Sequence, residues 1–149
     1  MRTPSFEKYL AKLHQEAADR IAKIGPVEDI AIVKHETDTR WQMILADVSG
    51  GTVWRTQTFD LNGFSGHSLF KDKAEAINDA AQSRYTLRDD GALDRIQDTP
   101  EFQIGLYAAE QIRLVNMRQL AFAEYDKRME AYRQQCFGVR RSSLICCQS

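Results

Sequence analysis

Apolar residues return every three or four positions from Phe6 through Leu10, Leu13, Ala17 and Ile21 to Ile24, while Lys8, Lys12, Glu16, Asp19 and Lys23 fall between them. That spacing predicts a helix with one apolar stripe. Thr3-Pro4 supplies a start, with a capping hydroxyl followed by a proline whose missing N–H costs nothing in the first turn. Gly25-Pro26 supplies the stop, since glycine tolerates the left-handed cap and proline cannot continue the helix.

From Val27 to Phe59 the period shortens to about two and β-branched and aromatic residues dominate. Three strands are predicted, over 28–35, 39–48 and 52–59, joined by the short polar stretches Glu36-Thr37-Asp38 and Ser49-Gly50-Gly51. Short connections make neighbours antiparallel, so the strands form a meander. Two registers fit the second hairpin. A three-residue loop pairs Val48 with Thr52 and puts Trp41 and Trp54 on opposite faces, whereas a Gly50-Gly51 turn pairs Ser49 with Thr52 and puts both tryptophans on one face.

Residues 60–70 read as a turn-rich connection ending in a short fourth strand. A helix follows, with Asp72 and Glu75 at the spacing of a capping box and Ala74, Ile77, Ala81 and Tyr85 along its apolar face. The pattern then lapses into a linker around Arg88-Asp89-Asp90-Gly91, with one helical turn near Leu93 and Ile96. Thr99-Pro100-Glu101 repeats the earlier start signal and opens a last helix over Phe102, Leu106, Ala109, Ile112, Val115, Phe122, Tyr125, Met129 and Tyr132, reaching about Cys136.

Uninterrupted, that helix would be about 55 Å long, against a radius of gyration of about 15 Å for a compact domain of this length. One domain cannot cover such a rod. Either it bends near Asn116, or its distal half projects and buries Phe122, Tyr125, Met129 and Tyr132 against another chain. The expected fold is therefore α+β: a three- to four-stranded antiparallel meander with an N-terminal helix, a short helix after the sheet and a long C-terminal helix. A single domain is expected over 1–137, with 138–149 as a mobile tail without period.

Composition narrows the classes of function. The chain has 149 residues, 43% hydrophobic and 28% charged, which is ordinary globular usage. With 20 Lys+Arg against 21 Asp+Glu the net charge is -1, so no long-range attraction draws it to nucleic acid or anionic lipid. No apolar run approaches the length of a membrane span and the N-terminus lacks a signal-peptide pattern, which predicts a cytoplasmic protein with no membrane partner. The 3 cysteines, Cys136, Cys146 and Cys147, cluster at the C-terminal end and are odd in number, as expected of reduced thiols. Cys146-Cys147-Gln148-Ser149 has the length of a prenylation box, but Gln stands where an aliphatic residue is usual.

Few side chains group at spacings that chemistry requires. His14, His35 and His67 are scattered and form no ligand set with the cysteines, so neither metal nor cofactor is expected. Asp89-Asp90 and Asp94 with Asp98 read as solvated linker charge rather than a glycosidase pair. The stretch holding Ser65, His67 and Ser68 offers two hydroxyls and an imidazole between a strand and a helix start, the raw material of a small hydrolase or transferase centred on His67. An exposed loop explains the same residues. Trp41, Trp54 and Arg55 on a short sheet, with Arg40, Lys71 and Lys73 nearby, could stack and hold single-stranded nucleic acid or RNA. Core packing is the competing explanation.

What remains is the aromatic and Met-rich second half of the last helix, with Arg118 beside it. Aromatic, Met and Arg residues are enriched where proteins meet. By elimination, the sequence points to a non-catalytic, regulatory or inhibitor-type module. It would bind a macromolecule through Trp41, Trp54 and Arg55 on the sheet or Arg118, Phe122, Tyr125, Met129 and Tyr132 on the helix, and form a homodimer through that helix. Small neutral chains of this kind include phage and plasmid accessory proteins that act against host defence nucleases. A nuclease or nucleoprotein complex is accordingly the partner class expected.

Overall fold

The computed structural model describes the backbone of residues 4–47 and 53–148 and side chains as far as Gly138. The element order is α1 (Pro4–Ile24), β1 (Ile30–His35), β2 (Arg40–Ala46), β3 (Trp54–Asp60), β4 (Gly63–Phe70), α2 (Lys73–Gln82), β5 (Tyr85–Arg88), α3 (Ala92–Ile96), α4 (Pro100–Asn116) and α5 (Phe122–Gln148). The expected Thr3 cap and the Ser49–Gly51 loop lie outside the described residues. The chain gathers into two compact units, Met1–Asp60 with Ser65–Leu93, and Leu61–Phe64 with Asp94–Ser149.

The first unit is built on an antiparallel sheet of order β4-β3-β2-β1-β5. This is a meander of four strands with a fifth returned by α2 to the far side of β1, so the sheet has five strands where three or four were expected. Ala46 pairs with Trp54 and Trp41 with Phe59, the register of a three-residue loop, and the two tryptophans lie on opposite faces. Ala31, Val33 and Ile44 of one face join Tyr85, Ile24, Val27, Ala76, Ala80 and Ala81 in the core, with Trp54, Phe70 and Ile77 packed at its margin. The three alanines are what allow α2 to lie close to the strands. Ala74, expected on that face, is exposed.

Local signals explain the boundaries. Gly25 takes a left-handed φ of 76° after Ile24 and ends α1. Asp72 caps α2 by accepting from the Glu75 N–H at 2.8 Å, and Glu75 in turn accepts from the Lys71 N–H at 3.3 Å. After Ser83, Arg84 adopts φ 67° and turns the chain into β5, so Tyr85 is a strand residue and not the end of a helix. Arg88 then donates to the carbonyls of Ile24 at 2.9 Å and Pro26 at 2.8 Å, while its Nε–H bonds the Asp90 carboxylate. Asp90 also accepts from the Ile32 N–H at 2.9 Å. One ion pair thus ties the end of α1 to β1 and β5. Burial works to raise the Asp90 pKa, but the Arg88 hydrogen bond, the Ile32 N–H and the Arg88 charge outweigh it and hold the carboxyl below its usual range.

In the second unit, Thr99 caps α4 as its sequence predicts, its hydroxyl accepting from the Phe102 N–H. The long helical run does not continue to Cys136 unbroken. It stops at Asn116, Arg118 takes φ 59°, and α5 starts anew at Phe122. Of the two sequence alternatives, the bend near Asn116 is the one adopted. The helices then pack antiparallel: Tyr107 stacks on Tyr132 at 4.0 Å, and Arg128 donates to Gln111 Oε1 at 2.9 Å. α5 continues to Gln148, beyond Gly138 where the sequence pattern ended. The Leu61–Phe64 turn sits against α4, where Phe64 meets Phe102 edge-on at 5.5 Å. A Cβ added at Gly105 would coincide with the Asn62 carbonyl oxygen, which explains a glycine inside a helix.

Candidate functional site

Most of the binding residues expected from sequence are engaged inside their own unit. Trp41 is 5% exposed, lies parallel to Phe59 at 5.6 Å, and donates its Nε1–H to Asp89 Oδ2 at 3.1 Å. Its ring is therefore closed to a stacking base. Trp54 is half-buried on the other face, with Lys73 Nζ 5.4 Å from its centre. That ammonium also donates to the Val27 carbonyl at 2.7 Å, so its position is fixed by the fold. Arg55, also half-buried, donates to Gln57 Oε1 at 2.6 Å and lies 4.0 Å from Asp47.

The C-terminal helices divide the same way. Met129 is 3% exposed against α4, so the helix pair itself hides it. Tyr132 is half-buried beneath Tyr107, and burial first, then a hydrogen bond with Cys136, pushes its phenol pKa above the ordinary value. Phe122 is 62% exposed and meets Tyr125 at 5.6 Å; Met117 and Arg118 beside it are exposed too. Phe122 and Tyr125 thus meet at the start of α5, with Arg118 in the turn that precedes it, whereas Trp41, Trp54 and Arg55 belong to the other unit.

Ser65, His67 and Ser68 stand on β4 as a run of exposed strand residues rather than on a loop. The Ser65 hydroxyl donates to the Thr58 carbonyl at 3.4 Å, a sheet contact that does not activate it. The buried imidazole is instead that of His35, whose Nδ1 accepts from the backbone N–H groups of Thr37 at 3.2 Å and Asp38 at 3.1 Å. It closes the β1–β2 turn and stands edge-on to Tyr85 at 5.2 Å. Among the described residues no three of His, Cys, Asp and Glu come together as a metal site. A cleft of about 240 Å³ beside Cys136 is lined by Asp98, Pro100, Gln103, Tyr132 and Gln135.

A surface that the sequence does not single out as a site is α1. Along this one helix Phe6 is 44% exposed, Tyr9 55%, Leu13 40% and Ile21 38%, while Ile24 at its end is 1% exposed. The stripe enters the core at Ile24 and runs out of it toward Pro4. Length accounts for this. At about 1.5 Å per residue the 21 residues of α1 span about 31 Å, whereas a seven-residue strand spans about 24 Å. No helix of the described residues is long and apolar enough to cross a membrane. No protein family, curated protein or solved structure matches this chain.

Proposed function

We propose that the chain is a non-catalytic protein-binding module of regulatory or inhibitor type, and that α1 is the element it presents. The observation that carries this reading is the exposure of Phe6, Tyr9, Leu13 and Ile21 along a single helix face. Residues spaced in this way are the anchors of a helix laid into an apolar groove of another protein. The polar side of α1 favours that occupant over a lipid surface. Its Lys8, Lys12, Arg20 and Lys23 exceed Glu7, Glu16 and Asp19 by a single charge, whereas interfacial membrane helices are rich in Lys and Arg on the polar face. So small an excess gives nucleic acid little electrostatic hold. Met117, Arg118 and Phe122, each exposed at the α4–α5 turn, offer a smaller second surface.

A host nuclease or nucleoprotein complex is the first partner to test. The experiment is affinity capture from the native host with the wild-type chain, Leu13→Asp and Phe122→Asp in parallel, with and without added nuclease, followed by reconstitution of the captured protein with purified chain. A nuclease-resistant partner that binds the wild type and Phe122→Asp but not Leu13→Asp supports the reading. Equal capture by all three, or capture lost on nuclease treatment, refutes it.

A further inference from the structure

We propose that the outer edge of β4 pairs with the β4 of a second copy of this chain, antiparallel, across a two-fold axis at His67. The sheet order leaves β4 and β5 at its two ends, and the two edges differ. β5 is four residues long and ends in Arg88, which is held by Asp90 and two backbone carbonyls. A short edge with a fixed charge discourages a further strand. β4 is eight residues long, Gly-Phe-Ser-Gly-His-Ser-Leu-Phe, with no Lys, Arg, Asp, Glu or Pro, and every residue from Phe64 to Leu69 is exposed. Its own side chains include none of the charges or prolines that keep an edge from accepting a strand.

The sequence of β4 matches itself about His67. Glycine and serine stand one position to either side, at 66 and 68, and phenylalanine three positions to either side, at 64 and 70. In an antiparallel pair, directly opposed residues share a face and touch. With His67 opposite its own copy, Phe64 faces Phe70 twice and small Gly66 faces Ser68 twice, and no like charges meet because the strand carries none. A two-fold contact of this kind is self-complementary and closes as a dimer. The pairing would join the two sheets into one.

Sedimentation velocity of the full chain at tens of micromolar tests this with three variants. The wild type and Leu13→Asp are expected to sediment as dimers. H67K/L69K, which sets ammonium groups of both copies along the shared edge, is expected to be a monomer with dissociation raised roughly tenfold or more. In a background with Cys136, Cys146 and Cys147 changed to serine, His67→Cys is expected to form a covalent dimer on mild oxidation, since directly opposed Cβ atoms lie about 4.5–5.5 Å apart, near disulfide reach. A monomeric wild type, a dimer unaffected by H67K/L69K in chains whose circular dichroism is native, or failure of the cysteine variant to crosslink would each overturn the pairing.

Discussion

Two long helical regions of this molecule start from similar sequence patterns and end in different situations. The run from Pro100 onward breaks at Met117 and folds back, so that Met129, Tyr132 and Gln111 find cover within it. α1 runs for 21 residues and packs on α2 and β5, yet Phe6, Tyr9 and Leu13 along it remain exposed. An apolar stripe records what a helix can bury. Whether it does so depends on a turn that returns the chain.

The contrast is sharpest in unfolding free energies. Phe102, 1% exposed, sits within the α4–α5 unit against Phe64. Phe102→Ala is expected to cost about 3–5 kcal/mol, read from the urea midpoint. Gly105→Ala comes next. On propensity alone alanine would stabilise α4 by about 1 kcal/mol, but a Cβ there meets the Asn62 carbonyl, so a net loss of about 1–3 kcal/mol is expected. A gain in stability at this position would show that the Leu61–Phe64 turn does not rest on α4.

A smaller effect separates the α1 end held by the core from the part that is not. Asp90→Asn removes the partner of Arg88 and Ile32, and since the carboxylate is 56% exposed the loss at neutral pH is put at about 1 kcal/mol. The pKa of Asp90 is lower folded than unfolded. Its contribution is therefore complete above the unfolded value of about 3.9 and fades as pH falls through the folded value. Urea midpoints of wild type and Asp90→Asn should differ at pH 7 and converge in acid. Smallest of all, Tyr9→Asp and Leu13→Asp are expected to change stability by no more than about 0.5 kcal/mol. A loss comparable to that of Phe102→Ala would mean that this face is buried in solution.

The same contrast explains what could be read from the sequence. Strong period-two runs rich in Trp, Ile and Thr place β1, β2 and β3 to within about two residues at each end, and the caps at Asp72 and Thr99 act as their side chains predict. β4 reads mostly as a turn in the sequence because Gly63, Ser65, Gly66 and Ser68 lack the branching that favours strands; at an edge, backbone pairing with β3 on one side is enough. β5 was hidden because Tyr85 continues the helical spacing from Ala81, and only the left-handed Arg84 separates them. The break after Asn116 carries neither Gly nor Pro within Met117–Ala121. Arg118 accepts a positive φ there because the folded-back pair gains the Tyr107–Tyr132 and Arg128–Gln111 contacts. Of the candidate site, residue types were legible, but which stripe stays uncovered was decided by tertiary packing.

Amide hydrogen exchange of the chain, alone and saturated with its captured partner, addresses α1 most directly. Binding should slow exchange across residues 6–14, with little change in α4 and α5. Unchanged exchange over those residues, with protection at the α4–α5 turn or along the sheet instead, would contradict the assignment of α1 as the binding element.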